Sequence, residues 1–113
     1  MPHIAANGQE LHYQLLGEGG EGDTPCVFAH GLLIDNLSSW YFGAAPLVAT
    51  KRRAICYDLR GHGLSSQAAA GYDVATGAAD LVALLDALEL GEVDLAGQSY
   101  GALIALRVAL DHP

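Results

Sequence analysis

Val93-Asp94-Leu95-Ala96-Gly97-Gln98-Ser99-Tyr100-Gly101-Ala102-Leu103-Ile104 is the stretch around which the chain is organised. A strand-like run, Val93 to Ala96, leads into a G-x-S-x-G pentapeptide, and a helix-like run follows from Ala102 to Leu110. A serine on a sharp turn between a strand and a helix is the setting of a nucleophile elbow, in which the hydroxyl stands at the end of a sheet. Such a turn is tight, so its flanks must be small, and glycine on both sides meets that need. The pentapeptide alone has a second reading, a glycine-rich helix start with Ser99 as N-cap. The run after Ser99 is apolar nearly all round, which predicts a buried helix, with Ala102, Ala105 and Ala109 letting it lie close to the sheet.

Two earlier apolar runs resemble the one before Ser99. Cys26-Val27-Phe28-Ala29 ends in His30-Gly31, and Arg53-Ala54-Ile55-Cys56-Tyr57 ends in Asp58. Short continuous apolar runs fit parallel strands buried on both faces. Helical stretches lie between them. Ser38 to about Ala49 is one, with Ser38 or Ser39 as cap and Pro46 as a weak point. Asp73 to Leu88 is the other, capped by Asp73, with Val74, Ala78, Leu81, Leu85 and Leu88 on one face. Residues 2–16 read as a hairpin turning at Asn7-Gly8, in which Leu11, Tyr13 and Leu15 alternate with His12 and Gln14. Gly17 to Asp23 reads as a solvated loop without calcium-loop spacing. The fold class is therefore α/β: a doubly wound, mostly parallel sheet of about five strands with an N-terminal antiparallel hairpin and right-handed crossovers.

Composition narrows the function classes. The chain has 113 residues, enough for one domain, and 51% of them are hydrophobic, more apolar surface than so short a chain readily buries. The net charge is −8, and the only basic cluster, Lys51-Arg52-Arg53, reads as the basic end of a helix, so nucleic-acid binding is not expected. No cationic leader or membrane-length apolar run is present, and Cys26 and Cys56 read as buried free thiols of a cytoplasmic protein.

Three motifs now stand in order: His30-Gly31, then Asp58-Leu59-Arg60-Gly61-His62-Gly63-Leu64-Ser65, then Gly97 to Gly101. Together they resemble the alpha/beta-hydrolase superfamily, in its single-domain esterase, C–C hydrolase and haloperoxidase-like branch. The resemblance implies that residues 1–113 are the N-terminal part of an alpha/beta-hydrolase domain, an incomplete form of the fold. It implies Ser99 as nucleophile and an oxyanion hole made by the backbone N–H groups of Leu32 and Tyr100. The substrate class it implies is an ester, thioester or related small acyl compound, with no cofactor and no metal. A C–C hydrolase or a cofactor-free perhydrolase would use the same motifs. Aspartate in place of Ser99 would have pointed to dehalogenase or epoxide hydrolase chemistry.

The family's triad runs serine, acid, histidine, and only fourteen residues follow Ser99. The acid and the histidine are therefore expected from sequence beyond this chain. The resemblance makes His30 a structural residue of the oxyanion loop. It places His62 in a rigid turn held by Asp58 and Arg60, and Asp58 in a pairing with Arg60 or backbone amides. His3, His12 and His112 read as surface residues. Trp40 reads either as core or lid packing or as a substrate contact. The strand before Ser99 would present an open edge, coverable by a homodimer or by a complementary C-terminal chain, which leaves a non-catalytic half-protein as a third reading.

Overall fold

The computed structural model describes residues 2–19, 22–32 and 35–113. Of the predicted solvated loop, Gly20 and Glu21 lie outside these. Strands β1 (His3–Ala6) and β2 (Gln9–Leu16) form the hairpin. Asn7 and Gly8 have φ of 51° and 78°, as a turn with positive φ at both central residues requires. The order continues through β3 (Cys26–Ala29), α1 (Ser38–Tyr41), α2 (Ala44–Val48), β4 (Ala54–Tyr57), α3 (Val74–Ala87), β5 (Asp94–Gly97) and α4 (Tyr100–Asp111). The sheet order is β1-β2-β4-β3-β5, with β1, β2 and β4 antiparallel to one another in turn and β4, β3 and β5 parallel.

Alternation along the strands divides the core. Val27, Ala29, Ile55 and Tyr57 face α3 and α4, while Phe28, Ala54 and Cys56 face α1 and α2. Both faces of the central strands are thus covered, as their continuous apolar runs predict. In α3, Asp73 caps the helix by accepting from the Thr76 N–H at 3.0 Å, and Ala78, Leu81 and Leu85 of the predicted face are buried.

The structure corrects several expectations. The helix predicted over Ser38 to Ala49 is two short helices broken at Phe42-Gly43, not at Pro46, which sits in the first turn of α2, where its missing N–H costs nothing. Neither serine caps it. Lys51-Arg52-Arg53 lies past the end of α2 instead of complementing its dipole. Arg53 pairs with Asp23 at 2.9 Å and Arg52 with Asp94, so the loop acid at Asp23 is not free in solvent. Helix α4 buries one face only, Gly101, Ile104, Ala105 and Val108; Leu103, Leu106 and Leu110 are 53%, 56% and 70% exposed. That outer face is largely open to solvent, which periodicity alone could not reveal.

His12 is buried, not a surface residue. Strand β2 lies inside the sheet beside β4, and the loop after β4 folds over its end. His12 Nδ1 meets Asp58 Oδ2 at 2.7 Å. Asp58 Oδ1 accepts from the Leu37 N–H at 2.8 Å, and Oδ2 also accepts from the Leu64 N–H at 3.0 Å. The backbone-amide part of the Asp58 expectation stands. Its pairing with Arg60 does not, because Arg60 donates Nε and Nη2 to buried Asp80 at 2.7 and 2.9 Å.

Candidate active site

The parallel register brings the three motifs together. Ala29 is opposite both Tyr57 and Gly97, so the chain leaves β3, β4 and β5 at one level and one edge. His30-Gly31, Asp58-Leu59 and Gln98-Ser99 therefore emerge side by side, at the carboxyl ends where such sheets hold their ligands.

Ser99 is exposed at the tip of the turn, with φ 53° and ψ −119°. A serine held there stores roughly 1–3 kcal/mol of backbone strain, which the surrounding packing must impose. The packing is visible at the flanking glycines. A Cβ at Gly97 would lie 2.5 Å from the Gly101 carbonyl oxygen, and one at Gly101 would lie 2.3 Å from that of Ala29. The missing side chain at Gly97 lets the chain fold back on the first turn of α4, and that at Gly101 lets this turn close against the end of β3. The Gly101, Ala102 and Leu103 N–H groups bond back to the carbonyls of Gln98 and Ser99. Tyr100, the first helical residue, has an N–H that an α-helix leaves without an internal acceptor.

The other candidate donor is oriented by His30. The Leu59 N–H donates to His30 Nε2 at 3.0 Å, so Nε2 is an acceptor and Nδ1 carries the proton. Nδ1–H donates to the Gly31 carbonyl at 2.6 Å. That carbonyl and the Leu32 N–H belong to one trans peptide and point opposite ways. The Leu32 N–H is therefore turned away from the enclosed imidazole. Burial pushes His30 below the ordinary imidazole value, against the opposing effect of its bond to Gly31. His30 is thus a neutral prop with both nitrogens engaged.

Asp35 completes the loop, and the sequence reading missed it. Its Oδ2 accepts from the Gly31 N–H at 2.7 Å, while Oδ1 accepts from the Asn36 N–H at 2.9 Å and from the Ser39 hydroxyl. Burial works to raise this carboxyl, but the three donors together hold it below the usual carboxylate range. The available signal was a lone acid in an apolar loop, four residues from both Gly31 and Ser39. The same carboxylate stands close to Ser99: a Cβ at Gly31 would be 3.1 Å from Asp35 Oδ2 and 3.6 Å from Ser99 Cβ.

Other candidates have other duties. Trp40 packs against Phe28 with ring centroids 4.9 Å apart and the planes tilted by 40°, and donates Nε1–H to the Ala29 carbonyl, so its ring supports the end of β3. His62 Nδ1–H donates to the Arg60 carbonyl at 2.8 Å, and exposed His112 follows the far end of α4. No imidazole bond described here reaches Ser99.

Residues 24–113 match the family model described as the alpha/beta hydrolase fold. The chain belongs to the alpha/beta hydrolase family. It is 43% identical over 91 residues to the dihydrolipoyllysine-residue acetyltransferase component of the acetoin cleaving system of Pseudomonas putida, a match covering 80% of this chain and 24% of that protein. It is 39% identical over 107 residues to a putative non-heme chloroperoxidase of Synechocystis sp., covering 89% of this chain and 37% of that one. Among solved structures, Est816, described as an N-acyl homoserine lactone degrading enzyme, superposes with a TM-score of 0.84 and 39% identity, covering 99% of this chain and 41% of its own. This alpha/beta hydrolase chain thus spans between about a quarter and two fifths of the length of these relatives. Its described helices include none long and apolar enough to cross a membrane.

Proposed function

We propose that the protein carrying this chain is a serine hydrolase acting on a small ester, thioester or lactone, with residues 1–113 as the N-terminal part of its catalytic domain. One observation carries this reading: Ser99 is held in a strained conformation between two glycines that admit no side chain. A structural N-cap needs no such strain.

In the proposed reaction Ser99 Oγ attacks the acyl carbon and its proton passes to a general base. The carbonyl π pair moves to oxygen, and the Leu32 and Tyr100 N–H groups stabilise the charge that develops there. One such donor is typically worth roughly 3 kcal/mol of transition-state stabilisation. Collapse expels the alcohol, thiol or ring oxygen, and water then releases the acid from the acyl-serine. His12, His30 and His62 are engaged with partners other than Ser99, and in this reading the base comes, with the acid, from sequence beyond these residues. The free thiols of Cys26 and Cys56 fit a reducing, cytoplasmic setting.

A second reading, cofactor-free perhydrolysis, keeps Ser99 and both donors but lets hydrogen peroxide take the acyl group. The resemblance to a non-heme chloroperoxidase favours keeping it in view. The test is covalent labelling of the purified protein with a fluorophosphonate, with Ser99→Ala as control. Labelling confined to Ser99, together with hydrolysis of p-nitrophenyl acetate, supports the proposal. Ester turnover that survives Ser99→Ala refutes it. Halogenation driven by peroxide and acetate, faster than ester hydrolysis, selects the second reading.

A further inference from the structure

Tyr57 ends β4 with its side chain fully enclosed. Its hydroxyl is the one buried side-chain polar atom without a hydrogen-bond partner among the described residues. A native protein rarely leaves such a group unpaired, because burial strips the water it would otherwise hold. Tyr57 borders a narrow cavity shared with Leu59, Gly77, Asp80, Tyr100 and Ile104. Its free space suits about one water molecule. That size rules out a substrate group of several atoms.

The cavity also supplies acceptors. Asp80 Oδ1 receives Asn7 Nδ2 and Arg60 Nη2, whereas Oδ2 receives only Arg60 Nε. A carboxylate oxygen accepts two bonds, so Oδ2 keeps one lone pair. Tyr100 Oη donates to the Tyr72 carbonyl and retains its own lone pairs. Burial, then the charge of Asp80, raises the Tyr57 phenol, so the two groups sense one another without bonding. A cation is disfavoured here, because the Arg60 guanidinium already balances the carboxylate.

We propose that this cavity is a binding site for one ordered water, which accepts from Tyr57 Oη–H and donates to Asp80 Oδ2 and Tyr100 Oη. Three bonds is the usual complement of a buried water. The water joins β4, α3 and the first residue of α4, and so braces Tyr100, whose N–H is a candidate oxyanion donor. It carries no proton to the reaction.

The test is a crystal structure of the purified protein at about 1.5 Å, with thermal unfolding of Tyr57→Phe beside it. The expected result is a water peak about 2.7–3.0 Å from Tyr57 Oη and from Asp80 Oδ2. Tyr57→Phe removes the water's only donor and lowers the melting midpoint by about 2–8 °C. An empty cavity, or a direct bond between Tyr57 and Asp80, overturns the proposal. So does a midpoint that rises in Tyr57→Phe, the behaviour of an orphaned hydroxyl. Neither readout depends on whether Ser99 is a nucleophile.

Discussion

Replacing Asp58 by Asn tests the junction that holds the sheet, the hairpin and the oxyanion loop together. The carboxylate receives Leu37 N–H on Oδ1 at 2.8 Å, and His12 Nδ1 and Leu64 N–H on Oδ2 at 2.7 and 3.0 Å. Asparagine has the same shape but one acceptor oxygen. In its better orientation the amide oxygen faces His12 and Leu64, and its NH2 group confronts the Leu37 N–H. One bond to a charged acceptor is then lost outright, at about 1.5–3 kcal/mol. The other two weaken from charge-assisted to neutral bonds, losing roughly half their strength. The sum is about 3–6 kcal/mol, a large share of the roughly 5–15 kcal/mol that stabilises a typical domain. Urea unfolding at pH 7 measures it: with a slope near 1.5 kcal/mol per molar, the midpoint falls by about 2–4 M. A loss below about 1 kcal/mol would refute the argument, because Asp58 would then be tethering nothing. A cycle with His12→Asn assigns the share of that pair and should return a coupling of at least about 1 kcal/mol.

Gly101→Ala puts a Cβ 2.3–2.4 Å from the Ala29 and His30 carbonyl oxygens, so α4 must retreat by about 1 Å at about 1–3 kcal/mol. Fluorophosphonate labelling of Ser99 should slow by roughly 100-fold as the Tyr100 N–H moves off its target, and an unchanged rate counts against the assigned elbow geometry. Acid sensitivity has a definite sign. His30 is depressed below its ordinary 6.5, so its contribution is complete above that value. It is lost as pH falls toward the lower folded value, because only the unfolded chain takes up the proton there. Urea midpoints should therefore decline as pH falls below about 6.5, and His30→Gln should flatten that decline. Residues 1–113 expressed alone should self-associate, given the exposed Leu103, Leu106 and Leu110 and a β5 edge that no described strand pairs. A monomer by sedimentation with a sharp cooperative transition would sink that expectation.

Much of this molecule is legible residue by residue. Asn7-Gly8 sets the hairpin and Asp73 the start of α3, because each acts through local backbone conformation or capping that a few neighbouring residues specify, and Gly97 and Gly101 stand out by their small size on either side of Ser99. The continuous apolar runs likewise revealed strands covered on both faces. What stayed hidden depends on which distant residues meet. Alternation put His12 on a polar face, and only the return of the loop after β4 makes that face an interior. Arg60 chose Asp80 over Asp58 because α3 carries Asp80 to it across 20 residues. Asp35 looked like an ordinary loop acid until the loop closed on Gly31. The sequence by itself determined the order of strands and helices and the small flanks of the turn at Ser99, which rest on local periodicity and steric freedom, while the candidate donors Leu32 and Tyr100 came from the resemblance of its motifs to a family. Tertiary structure alone decided which polar groups are desolvated and which partners they find, since burial and pairing are properties of the assembled sheet and its covering loops.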